Sequence, residues 1–117
     1  GVINSPNWPA NYDHDDDCGW LISVDVNHVV QFEFTDFEVE NHINCSYDHV
    51  AVYDGPWESA PLLLMHCGNQ LPDPPMIKST GNQMFVKFKT DGSTTKKGFR
   101  ATFSTVRTRL YITFTIK

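Results

Sequence analysis

The residues most able to do chemistry crowd into Glu40-Asn41-His42-Ile43-Asn44-Cys45-Ser46-Tyr47-Asp48, where two carboxylates, an imidazole and a thiol share nine consecutive positions. Those types allow several chemistries. Cys45 offers a sulfur for a disulfide. Together with His42 and His49 it also offers the nitrogen and sulfur ligands that zinc takes. Glu40 and Asp48 are the residue types of a glycosidase acid pair, and equally the hard oxygen donors of a calcium site. Asn44-Cys45-Ser46 is an N-glycosylation sequon, useful only in a secretory setting. Upstream, Asp13-His14-Asp15-Asp16-Asp17 is a short acidic run without the glycine and terminal glutamate of an EF-hand loop, so it reads as a solvated loop able to join a binding rim.

The rest of the chain narrows these choices. A length of 117 residues fits one domain with its own core. A composition 40% hydrophobic and 20% charged is that of an ordinary globular protein. The formal net charge of −5, with no basic cluster, argues against a nucleic-acid partner and favours cationic ones, either metal ions or basic protein surfaces. No apolar run approaches the roughly 20 residues that span a bilayer, so no membrane insertion is expected. The chain opens at Gly1-Val2-Ile3 without a leader, as a trimmed or mature fragment does. Cys18, Cys45 and Cys67 make an odd count without a CxxC, which disfavours a zinc ribbon or a thioredoxin-like site. With the sequon they point to the oxidising exterior. There is no GxSxG, no HExxH and no phosphate-cradling glycine loop, so catalysis is not expected.

The elements that must position these residues are strands. Alternation places Val30, Phe32 and Phe34 on one face of 29–34, Val50 and Val52 on one face of 49–53, and Met84, Val86 and Phe88 on one face of 84–88. Segments 19–24 and 99–104 are further strands, with Trp20, Phe99 and Phe103 in the core. Between them run joints rich in proline and glycine such as SPNWPANY, DGPWESAP and GNQLPDPP; Trp8 and Trp57 in these joints either anchor a partner or cover the ends of the sandwich. Many short strands so punctuated predict an all-β antiparallel sandwich. Residues 107–117 alternate too, with Leu110, Ile112, Phe114 and Ile116 on one face, which predicts an added or edge strand able to pair with other chains.

SPNWPANY (5–12), CGW (18–20), FTDFEVE (34–40), CSYDHVAVYDG (45–55), CGNQLP (67–72), STGNQMFVKFKTDGS (79–93) and GFRATF (98–103), in that order, resemble a CUB domain. The resemblance is nearest to the calcium-binding modules of a large endocytic receptor, with tolloid-type and complement-protease modules as further relatives. It implies a two-sheet, jelly-roll-like antiparallel β-sandwich over residues 1–104, lacking its first strand and first cysteine, followed by an atypical tail, 105–117. It also implies a Cys45–Cys67 disulfide, with Cys18 left unpaired or free to link two chains; the tail is a second route to homo-association. By the same resemblance Glu40, Asp48, Asp91 and the Ser93 backbone carbonyl would hold calcium, supported by Tyr12. A lysine or arginine from a protein ligand would then dock on Tyr12, Glu40, Asp48 and Asp91. The expected function is that of an extracellular calcium-dependent protein-binding module, secreted or on a receptor ectodomain; the alternative is a calcium-free structural spacer. A glycan on Asn44 would stand beside the docking surface.

Overall fold

The computed structural model describes residues 1–108 and 114–117. Among the described residues eight strands form two antiparallel sheets. They are β1 (Val2–Asn4), β2 (Asp17–Ser23), β3 (His28–Glu38), β4 (His49–Tyr53), β5 (Leu62–His66), β6 (Met76–Lys78), β7 (Gln83–Lys89) and β8 (Gly98–Arg107). One sheet runs β1-β8-β3-β6 and the other β2-β7-β4-β5. The expected sandwich is what forms. The core between the sheets holds the inward sets read from alternation: Val30, Phe32, Phe34, Val50, Val52, Met84, Val86 and Phe88 are all buried. Phe99 is buried among them, and Trp20 and Phe103 pack against the cluster from the side.

Two features of this frame decide where the site can be. His49 pairs with Lys89, so the start of β4 and the end of β7 lie side by side. Asp48, one residue before β4, and Asp91, two beyond β7, therefore share one end of the sandwich. The second feature is a bulge. The β3–β8 register slips between Phe34 and Asp36, leaving Thr35 as the extra residue. Strict alternation from Phe34 would turn Glu38 and Glu40 inward; the bulge instead sends Phe37 and Val39 into the core. Glu40 is thereby freed for the loop end.

The last strand starts with a backbone constraint. Gly98 has φ +92°, a left-handed conformation, and a Cβ there would collide with the Ser5 hydroxyl. That hydroxyl accepts the Phe99 N–H at 3.0 Å, which ties the β1 end to the β8 start. At its other end β8 runs past residue 104, and Thr105, Val106 and Arg107 pair with Val30, Val29 and His28. Part of the tail is thus the end of β8. Leu110 and Ile112, on which the added-strand reading rested, lie outside the described residues, while Phe114 and Ile116 are exposed and belong to no strand.

Candidate metal centre

Glu40, Asp48 and Asp91 converge. Each offers a carboxylate oxygen, and the three atoms lie within 4.8 Å of one another. They arrive from separate places: Glu40 follows β3, Asp48 precedes β4 and Asp91 follows β7. Tyr12, from the loop between β1 and β2, holds them together from below. It is 2% exposed, and its ring packs edge-on against Phe88 with centroids 5.1 Å apart. Its hydroxyl donates to Asp48 Oδ2 at 2.6 Å and accepts the Glu40 N–H at 3.1 Å. The Asp91 N–H donates to Asp48 Oδ1 at 2.8 Å, so both oxygens of Asp48 are bonded. Ser93 then closes on Asp91, its N–H donating to Oδ1 at 3.2 Å and its hydroxyl at 3.1 Å.

The electrostatics of this cluster are strained. Asp48 is fully buried, and burial pushes its carboxyl above the usual range, with the neighbouring Asp91 charge adding to the effect against the hydrogen bonds from Tyr12 and the Asp91 N–H. Asp91 goes the other way. Partial desolvation opposes it, but the Ser93 N–H and hydroxyl donors hold it below the usual range. Burial, then the bond to Asp48, keeps the Tyr12 hydroxyl protonated far above the ordinary phenol range. Glu40 Oε1 is buried with no hydrogen-bond partner among the described residues. A buried, unsatisfied carboxylate oxygen on a residue clustered with two other acids is costly unless a cation meets it. The donors are all hard oxygens, the set that suits calcium and not zinc.

The nitrogen-and-sulfur alternative does not assemble. Cys45 is bonded to Cys67, with Cα atoms 5.5 Å apart, so its sulfur is not a free ligand. The His42 ring stacks on Tyr47 at 3.7 Å, and His49 sets Nδ1 against the Cys45 carbonyl at 3.2 Å. Cys18 is a free, half-buried thiol on β2. The Asp13–Asp17 run is more than a solvated loop. The Asp15 N–H donates to the Asp91 carbonyl at 2.9 Å, the Asp16 N–H to Thr90 Oγ1 at 2.7 Å, and Thr90 Oγ1 to the Asp13 carbonyl at 2.9 Å. Thr90, 5% exposed, is a strap that residue types alone do not reveal; only its place as the first residue of TDGS hints at it. Of the two doubtful tryptophans, Trp57 is 60% exposed and tilts over Phe85, while Trp8 is half-buried and lines a small groove beside Phe37.

A sandwich of two four-stranded antiparallel sheets whose loops gather three acids at one end describes a β-module with an end-loop site. The chain belongs to the CUB domain family, whose model matches residues 1–103. CUB domains are non-catalytic modules that mediate protein interactions, so the Glu40–Asp48 pair is not read as a glycosidase couple. The chain is 48% identical over 105 residues to tolloid-like protein 1 of Homo sapiens, covering 90% of this chain and 10% of that protein. It is 45% identical over 103 residues to cubilin of Canis lupus familiaris, covering 88% of this chain and 3% of that protein. This chain therefore spans only a small part of either relative. A crystal structure of the MASP-1 CUB2 domain bound to Ca2+ superposes with a TM-score of 0.76 at 25% identity, covering 88% of this chain and 89% of that one. Among the described residues no helix is long and apolar enough to cross a membrane.

Proposed function

We propose that this chain is an extracellular, calcium-dependent protein-binding module. Glu40, Asp48 and Asp91, with the Ser93 backbone carbonyl, hold the ion, and Tyr12 buttresses them. When bound, calcium supplies the positive charge that lets three close carboxylates stay ionised and fixes their loops. What carries the reading is the buried, unpartnered Oε1 of Glu40, in a residue that brings a carboxylate oxygen within 4.8 Å of those of a fully buried Asp48 and of Asp91. The calcium in the MASP-1 CUB2 structure supports it by analogy.

With the loops fixed, the acids present a cradle that suits a lysine or arginine from a partner, through charge-assisted bonds to acceptors already held in place. Tyr12 and Asp48 are too deeply buried to meet a partner, so direct contact falls to Glu40 and Asp91. The disulfide and the exposed sequon at Asn44 suit the oxidising exterior, and a glycan there flanks the cradle. Cys18 remains a candidate link to a second chain or to a cysteine elsewhere in a longer one.

The test is titration calorimetry of calcium into the wild type and into Asp91→Ala. The expected result is a binding heat in the first and none in the second. Equal heats, or none in either, overturn the reading and leave a calcium-free spacer.

A further inference from the structure

Glu40 belongs to two features at once: the acid cluster and an open groove of about 570 Å3 lined also by Glu38, Asn41, Asn69, Thr94 and Lys96. The groove is bipolar. Lys96 is exposed, and among the described residues only Lys87 forms ion pairs, with Asp17 and Glu58. The backbone of Lys96 is anchored at this end of the sandwich, because its carbonyl accepts the Tyr12 N–H at 3.0 Å and Tyr12 is itself bonded to Asp48. A lysine without an ion-pair partner among the described residues thus lines the same groove as an acid that is proposed to receive a partner's cation.

That arrangement constrains the partner. Three carboxylates around one divalent ion leave a residual charge near −1, enough to attract one basic side chain. The same basic side chain meets Lys96 in the groove, and like charges held in one groove repel. A carboxylate further along the partner segment removes the conflict and pairs with Lys96. Asn41 and Asn69 offer amide donors and acceptors for the backbone of an extended segment between the two charges.

We propose that this groove recognises an extended protein segment carrying a basic residue for the calcium-ordered acids and, a few residues away, an acidic residue for Lys96. This rests on the proposed function but adds a second, opposite charge to it. The probe is a set of fluorescent glycine-serine peptides with one lysine, alone or with a glutamate at successive positions on either side. Anisotropy is read with the whole chain in calcium and in EGTA. The expected result is that the best-placed glutamate tightens calcium-dependent binding by about threefold, the size of one partly exposed ion pair. Lys96→Ala should bring that ratio to one, and Lys96→Glu should reverse it in favour of a second lysine. A ratio of one in the wild type at every glutamate position overturns the proposal, while calcium-dependent binding of the lysine-only peptide leaves the proposed function standing. A ratio unchanged by Lys96→Ala, or a uniform tightening of all lysine peptides by that variant, also overturns it. No calcium-dependent binding of any peptide sinks both.

Discussion

Replacing Asp48 with asparagine separates what the site costs from what it does. The amide keeps nearly the shape of the carboxylate and can still accept the Asp91 N–H, but it carries no charge. In the metal-free protein that charge is a burden. Asp48 has no solvent exposure, and burial raises its pKa above the ordinary carboxylate range. A raised folded pKa means that the folded state binds the proton more tightly than the unfolded one. The penalty is therefore absent below the unfolded value and complete once pH exceeds the folded one. At neutral pH with EGTA, Asp48→Asn should melt at or above the wild type. With calcium at about one hundred times Kd, binding adds about 2.7 kcal/mol to wild-type stability. For a domain of this size that corresponds to a rise in Tm of roughly 10 °C. The variant should show no such rise, because two carboxylates replace three around the ion. Differential scanning calorimetry with and without calcium reads both arms. A variant that keeps the full calcium-dependent rise, or that melts well below the wild type in EGTA, refutes the reasoning, since either result would make Asp48 a structural hydrogen-bonding residue.

Two further outcomes follow from the same geometry. Tyr12→Phe removes the 2.6 Å donor to Asp48 and the acceptor of the Glu40 N–H, at a cost of about 1–3 kcal/mol and with weaker calcium binding; urea midpoints equal to those of the wild type would show that the hydroxyl supports nothing. In EGTA, stability should fall as pH rises from the ordinary carboxylate range through the raised pKa of Asp48, while the depressed pKa of Asp91 acts oppositely at lower pH, its contribution being lost as pH falls. Denaturant midpoints across that range check this, and a fall no smaller with saturating calcium would mean that Asp48 is not its source.

The interior strands were legible because they answer to a rule written within themselves. Val30, Phe32 and Phe34, or Met84, Val86 and Phe88, alternate because each strand lies over one core. The strands that escaped are β1, β5 and β6, all at sheet edges. Two of them are only three residues long, too short to show a period, and β5 reads Leu-Leu-Leu-Met-His without alternation. The bulge at Thr35 was equally hidden, because an extra residue is defined only against the partner strand. Phe85 departs from the alternation for a similar reason: Trp57, from a distant turn, lies over the outer face of β7 with ring centroids 5.2 Å apart.

The site shows the same division more sharply. Glu40, Asp48 and Asp91 are the wrong distances apart for any local pattern, and only the family resemblance placed them together. The physical causes are tertiary: the His49–Lys89 register carries Asp48 and Asp91 to one end, and the bulge turns Glu40 toward them. Neither could be read from residue types. The same causes explain why a fold would tolerate a buried acid and an orphaned oxygen. Register and bulge are fixed by a core of buried side chains that, apart from the Tyr12 hydroxyl bonded to Asp48, is aliphatic and aromatic. The strain at the loop end is therefore carried by the sandwich, and under the proposed function calcium would have only to complete a surface whose fold already exists. That separation of fold from site lets one scaffold present different loop-end surfaces, and here Lys96 stands in the groove beside Glu40.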